Sequence, residues 1–388
     1  MSNAMDPRVT SLWKAAIIAA TVVVLCITLL AGLWPFAFHV RNGATWLGNA
    51  NGLAFARFAT ARGTSPFESR DLCPSPDNPF ALELWFEPDS ASGYGTILAI
   101  GNATYPENFS IRQSLGDIEV GHVLKSPRAG ERARRVFLDD VLAAHKKALL
   151  TLTTETGKTQ YYVDGRRIPR SKDLAIQCGD LKGTLILGTS TVSNDVWSGS
   201  ILGIAAYNRA LTADEVKRHF AAWNAPNTDG LELSLQPAAL YPFVERTGSM
   251  IRDAQSNAPT IEIPKNYTIL RKRFLQPFWE EFSWDRAYAI DLAVNVIGFV
   301  PLGICATMLL ARVLGVSRPA ALSILLCFGT SLLIEVTQAY MPLRYSGTTD
   351  LITNTCGGAI GAGIYQIAFR GLVGKRQSAN PGAIRLPS

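Results

Sequence analysis

Residues 15–38 read AAIIAATVVVLCITLLAGLWPFAF, and no charge interrupts them. A helix rises 1.5 Å per residue, so about twenty apolar residues cross a hydrocarbon core roughly 30 Å thick. A secretory signal would show a shorter apolar run and a small-x-small cleavage site. Here Trp34-Pro35-Phe36 closes the run as an interfacial aromatic end does, and the segment reads as an uncleaved anchor. Three further apolar stretches, residues 287–311, 319–341 and 351–369, complete an expected α-helical four-span transmembrane bundle. Composition agrees. Only 18% of the 388 residues are charged, where soluble domains carry about 25%, and 48% are hydrophobic. The net charge of +6 is scattered with no dense Lys/Arg stripe, which argues against a nucleic-acid partner.

Short basic segments set an orientation. Arg8 and Lys14 precede the first span, Arg312 and Arg318 separate the second and third, and Arg370, Lys375 and Arg376 follow the fourth. Placing all of them in the cytoplasm satisfies the positive-inside rule, and puts the long segment between the first two spans outside. Arg271-Lys272-Arg273 falls on the outer side against the rule, from which long translocated domains are largely exempt. The expected order is an N-terminal anchor at 1–39 and an extracytoplasmic domain at 40–265. An interfacial aromatic and basic linker follows at 266–286, then three membrane helices at 287–370 and a disordered cytoplasmic tail at 371–388. Phe274, Phe278, Trp279, Phe282, Trp284 and Tyr288 mark the linker as an interfacial belt. Cys26, Cys305, Cys327 and Cys356 fall inside spans, where thiols act as small apolar residues. Cys73 and Cys178 alone lie in the extracytoplasmic segment, and an oxidising compartment favours a disulfide between them.

The extracytoplasmic segment is a series of short β-type runs separated by Gly, Asn, Asp and Pro: 80–86 (FALELWF), 96–100, 148–153, 160–163, 185–187 and 201–207. Such runs predict an all-β antiparallel sandwich, with Asp164-Gly165 as a hairpin turn. One helix is expected near 212–223, where Thr212 and Glu215 form a capping-box pair. FALELWFEP, TILAIG, KALLTLTTETGKTQYYVDGRRI and WSGSILGIAAYNRALTADEV, in that order, resemble the laminin-G-like, concanavalin A-like jelly-roll family. The stretch ALYPFVERTGSMIRDA (239–254) looks like that family's opening strand, yet follows the closing one, which suggests a permuted or wrapped sandwich. The resemblance implies a domain that binds an envelope glycan or a protein; fold alone does not establish sugar binding. No cofactor is expected. Calcium would need clustered oxygen ligands, for which Asp117, Glu119, Asn194 and Asp195 are the loop candidates, all equally ordinary turn formers.

Each of the last three spans carries a polar pair one helical turn apart: Asp291 with Asn295, Glu335 with Gln338, and Asp350 with Asn354. In the orientation above, all three acids fall in the outer part of the membrane, with Arg344 in the short loop between the last two spans. An intramembrane acid costs at least about 2.5 kcal/mol on most scales unless paired or solvated. DLAVNVIGFVPLG, EVTQAYMPLR and DLITNTCGGAIG resemble the VanZ-like membrane protein family, named for a glycopeptide-resistance protein. The pattern falls on Asp291, Asn295, Gly298, Phe299, Pro301, Leu302, Gly303, Glu335, Gln338, Pro342, Arg344, Asp350, Asn354, Gly357, Gly358 and Gly361. It implies a bacterial inner-membrane protein of cell-envelope glycan physiology or glycopeptide tolerance, with the sandwich inserted between the first two helices of one VanZ unit.

Three readings of the polar layer stay open. Interhelical hydrogen bonding with Gly298, Gly303, Gly357, Gly358 and Gly361 permitting close packing, and Pro301 a kink, would make it structural. A pocket for a polar or lipid-linked headgroup, or an ion pathway, would make it functional. Enzymatic function has no motif behind it: His39, His122, His145 and His219 all lie outside the C-terminal spans, and no P-loop, H-E-x-x-H or G-x-S-x-G occurs. The reading that follows is an envelope protein with a glycan- or protein-binding sandwich and an outward polar pocket, in contact with membrane lipids. A membrane enzyme or transporter acting on lipid-linked glycan, or a structural adaptor, are the alternatives.

Overall fold

The computed structural model describes residues 7–67, 73, 75, 77–102, 107–122, 134–169, 174–225, 235–282, 284 and 286–378. The chain divides into two compact units. Residues 39–272 form one, and residues 1–38 with 273–388 form the other.

The first unit is sandwich-like, with two antiparallel sheets. One runs β1 (Ala44–Trp46), β2 (Leu53–Phe55), β13 (Gly199–Tyr207), β4 (Phe80–Pro88), β9 (Ala148–Glu155), β10 (Lys158–Val163) and β11 (Arg166–Arg167), with β14 (Ala239–Tyr241) also on β13. The other runs β15 (Met250–Ile251), β16 (Ile261–Glu262), β3 (Ala61–Gly63), β12 (Thr184–Leu187), β5 (Tyr94–Gly101), β6 (Phe109–Ser114), β7 (Asp117–His122) and β8 (Arg134–Leu138).

β4 shows how the sequence sets the layers. Its alternate residues Phe80, Leu82, Leu84 and Phe86 enter the core between the sheets. Ala81 and Trp85 face the other way, beneath helix α2 (Ala213–Trp223), with Val216 and Trp223 of that helix. Both faces are therefore covered, which is why FALELWF lacks the polar alternation of a half-exposed strand. Thr212 accepts the Glu215 backbone N–H at 3.3 Å and Glu215 accepts that of Thr212 at 2.8 Å, closing the capping box. This hydrogen bond from the Thr212 backbone holds the Glu215 carboxyl below the usual glutamate range. Asp164 and Gly165 both take positive φ, 51° and 75°, the geometry a two-residue hairpin of this twist requires.

Residues 239–262 contribute to both sheets rather than replacing an opening strand in one. β14 pairs with the C-terminal half of β13, while β15 and β16 extend the other sheet beyond β3. The unit's two ends meet: the Tyr267 N–H donates to the Val40 carbonyl at 2.8 Å, and Arg41 bridges Asn266. Cys73 and Cys178 are joined as a disulfide, with Cα atoms 5.6 Å apart.

The second unit consists of α1 (Pro7–Leu33), the short α3 (Phe278–Glu281), α4 (Arg286–Arg312), α5 (Pro319–Ala339) and α6 (Thr348–Ser378). Among the described residues three helices are long and apolar enough to cross a membrane: Ser11–Leu33, Arg286–Arg312 and Pro319–Ala339. The fourth expected span differs. Its helix is 31 residues long, but Thr353, Asn354, Thr355 and the glycines at 357, 358, 361 and 363 dilute its apolarity. It packs along α4 and α5, so polar and small residues are its inner surface. It also continues to Ser378, past residue 371 where the tail was expected; residues 379–388 lie outside the described residues. Outward faces carry exposed Val22, Ile27, Ile297, Leu325 and Leu333, the reverse of a water-soluble bundle.

Candidate functional site

Near the start of α6 the chain makes a tight set of backbone contacts that fix one wall of a cavity. The Gln276 N–H donates to the Ser346 carbonyl at 2.8 Å, and the Thr348 N–H to the Gln276 carbonyl at 2.9 Å. Glu335 of α5, 1% exposed, accepts the Gly347 N–H at 2.8 Å and the Ser346 hydroxyl. Glu281 of α3 accepts the Thr349 N–H at 3.2 Å. Two carboxylates thus meet backbone donors at the helix start, where the first N–H groups have no intrahelical partner and the helix dipole favours negative charge.

The opposite wall is the end of α1. The Gly32 carbonyl, among the last of that helix, receives the Gln338 side-chain N–H at 2.7 Å and an Arg344 guanidinium N–H at 3.3 Å. Asn295 of α4 donates to Asp350 of α6 at 2.7 Å, and Asn354 donates to the Ser331 hydroxyl of α5 at 3.0 Å. Between these walls lies a cavity of about 310 Å³. Asp291, Asn295, Glu335, Gln338, Arg344, Asp350 and Asn354 all line it, together with Thr28, Ala31 and Gly32 of α1. Three carboxyls and one guanidinium therefore face a single space. Asp291 is the most open of them, while Glu335, Gln338 and Asn354 are buried.

The glycines divide. A Cβ on Gly303 would lie 2.2 Å from the Gly358 carbonyl oxygen, and one on Gly361 2.2 Å from that of Val300, so α4 and α6 cross at backbone distance. Gly357 abuts Val296 in the same seam, and Gly358 also abuts Cys327 of α5. Gly298 is a correction to the packing expectation: a Cβ there would meet nothing within 4 Å, and the residue lines the cavity. Pro301 is a second. It is exposed, inside an α4 that runs unbroken from Arg286 to Arg312. Glu281, Ser331, Ser346, Thr28 and Gly32 were not singled out from the sequence. Only Glu281, an acid inside the aromatic belt PFWEEFSW, carried a local signal.

In the sandwich unit the calcium candidates do not assemble. Asp117 accepts the Asp140 N–H at 2.7 Å, Glu119 pairs with Arg135 at 3.1 Å, and Asp195 binds Arg112 and the Thr96 hydroxyl. Asp117 and Asp195 are occupied by their own donors and Glu119 by its ion pair, and among the described residues no three His, Cys, Asp or Glu side chains converge as a metal site. A buried network that sequence reasoning missed lies under α2. Glu83 is fully buried and accepts from Tyr207 Oη at 2.7 Å and Trp223 Nε1 at 3.0 Å, with His219 Nδ1 at 2.9 Å. Burial and the neighbouring Glu83 carboxylate push the Tyr207 phenol far up, which keeps it a donor.

Residues 239–369 match the VanZ/LLP1 family model, and residues 62–217 match the model of the concanavalin A-like lectin/glucanases superfamily. The chain joins a VanZ-like region to a concanavalin A-like domain. With its apolar helices, the VanZ-like region marks a membrane protein. No curated protein sequence matches the chain. Among solved structures, a heptameric SAP-like pentraxin from Limulus polyphemus is 12% identical, covering 57% of this chain and 94% of its own at a TM-score of 0.34. The CBM40 of a Ruminococcus gnavus IT-sialidase bound to α2,3-sialyllactose is 14% identical, covering 43% and 94% at 0.32. A putative carbohydrate-binding protein from Bacteroides ovatus is 15% identical, covering 60% and 62% at 0.35. Likenesses this distant carry no argument about a ligand.

Proposed function

We propose that the VanZ-like helices hold an outward-opening pocket for the polar headgroup of a membrane lipid or lipid-linked glycan, and that the concanavalin A-like domain recognises envelope glycan. In this reading α6 is the fourth span, both termini are cytoplasmic, and the sandwich is on the outer face of a bacterial inner membrane. The orientation rests on the basic residues flanking the spans, and Arg273, the exception nearest the helices, is neutralised by its pairing with Glu280.

The single observation that carries the reading is the cavity itself. Helical packing alone would be served by each polar side chain bonding its nearest neighbour across a closed seam. Instead seven polar side chains from α4, α5, α6 and the loop before α6 surround about 310 Å³ of open space, within the size range of small-molecule sites. With three carboxyls against one guanidinium, hydroxyl- and amine-bearing groups suit it better than a bare phosphate. Native mass spectrometry of the full chain extracted with its lipids tests this. Co-purification of a defined lipid, reduced in Asp291→Asn and Asp350→Asn variants that keep their thermal stability, is the expected result. Identical lipid content in wild type and variants would return the polar layer to a packing role. Turnover of that lipid by wild type alone would make the protein an enzyme.

A further inference from the structure

The sandwich unit contains a second cavity, of about 280 Å³, away from the sheet-to-sheet core. Its floor is the pair Trp85 and Trp223, both nearly buried. These rings are fixed: Trp223 Nε1 donates to Glu83, and Trp85 stands edge-on to Phe220 at 6.3 Å. Its rim comes from four segments. Asn51 lies in the β1–β2 turn, Asn224 caps the end of α2, and Lys147 and Arg246 stand just before β9 and after β14. Both cations are exposed, and among the described residues neither is in an ion pair. Arg246 donates instead to the Asn51 side-chain oxygen, at 3.1 and 3.0 Å. Among the described residues no acidic side chain lines the space.

Charge decides what this space favours. Two full positive charges outweigh the partial negative charge, about half a unit, at the C-terminal end of α2. The amides offer both donors and acceptors, and the rigid indole floor offers apolar surface at no ordering cost. The volume sits at the lower edge of small-molecule pockets, which start near about 300 Å³, so it suits one ring rather than a chain. We infer that this cavity is a binding site for an acidic sugar, a single hydroxyl-rich ring whose carboxylate lies between Lys147 and Arg246. The inference rests on the glycan-recognition reading of the sandwich and narrows it to a site and a ligand class.

The test is ligand-observed saturation-transfer NMR on the full chain in detergent, with glucuronate, glucose and inorganic phosphate as probes. Glucuronate should bind more tightly than glucose, and the Lys147→Ala/Arg246→Ala double variant should weaken it about tenfold. Lys147→Arg should retain binding. Both substituted side chains are exposed, so folding is not at stake. Phosphate binding as tightly as glucuronate overturns the sugar assignment. Sugar binding that the double variant leaves unchanged overturns the site while leaving glycan recognition elsewhere on the domain standing. No binding of any probe overturns the site, and a blank glycan array of the same full-chain preparation would remove the broader reading as well.

Discussion

Replacing Glu335 should loosen the start of α6 by a predictable amount. The side chain is 1% exposed and holds two donors, the Gly347 N–H at 2.8 Å and the Ser346 hydroxyl. Glu335→Ala leaves both facing a void, and an unsatisfied buried donor costs about 1–3 kcal/mol. If only the Gly347 bond controls local opening, its amide should exchange about 5- to 150-fold faster, at a factor of ten per 1.4 kcal/mol. Glu335→Gln keeps an oxygen for Gly347 but turns its other terminal atom into a donor beside the Ser346 hydroxyl, which already accepts the Leu275 N–H at 3.3 Å. Loss of one net hydrogen bond, about 0.5–1.5 kcal/mol, gives roughly 2- to 10-fold. Hydrogen–deuterium exchange of a peptide covering residues 342–350, in the full chain in detergent, reads both variants against wild type. Unchanged exchange in Glu335→Ala would refute the role assigned to this carboxyl as the anchor of the cavity wall. Equal acceleration in both variants would refute the hydrogen-bond accounting.

Three other outcomes are expected. Glu83→Ala strands Tyr207, His219 and Trp223 in a fully buried site and should destabilise the sandwich by about 3 kcal/mol or more, read as an earlier unfolding transition in tryptophan fluorescence, whereas Tyr207→Phe should cost about 1 kcal/mol. Gly361→Val should lower the thermal stability of the helical unit by forcing α4 and α6 apart, while Gly298→Ala, with open space around it, should leave that stability within about 0.5 kcal/mol of wild type. The α2 cap gives a pH signature. Glu215 is held below its unfolded value, so its contribution is complete above about pH 4.3 and disappears as pH falls through the lower folded value. Exchange protection across residues 213–223 should fall over that acid window in wild type and lose this dependence in Glu215→Gln, whereas Thr212→Ala keeps the backbone donor and the dependence while being destabilised by about 1 kcal/mol.

What the sequence disclosed follows from which signals are local. β4 reads as a strand because Phe, Leu and Trp cluster between turn formers, and the Thr212 cap is written in four consecutive residues. The i, i+3 and i, i+4 polar pairs put their members on one helical face, and those six residues line one cavity, joined by Arg344 from the loop before α6. Local signals fail where a partner is distant. Glu281 and Ser346 acquire their roles only once α3 and the loop before α6 lie side by side, about seventy residues apart in sequence. Gly298 and Gly303 look alike in GFVPLG, yet five positions on a helix turn one of them to the cavity and the other to the seam. Glu83, between apolar neighbours, carries no local sign of its role because nothing nearby announces that α2 will cover it.

The Gly32 carbonyl imposes an order on biosynthesis. The groups that satisfy it, Gln338 and Arg344, follow it by 306 and 312 residues, and the whole sandwich is translated in between. At about 5–20 residues per second, the first helix waits roughly 15–60 s for its partners. During that interval it has no bundle to enter, and the sandwich must already have brought Val40 and Tyr267 together for the returning chain to emerge beside the point where it left. A version of this protein whose inserted domain folds slowly should therefore lose its helical assembly as well, although no helix residue has been changed.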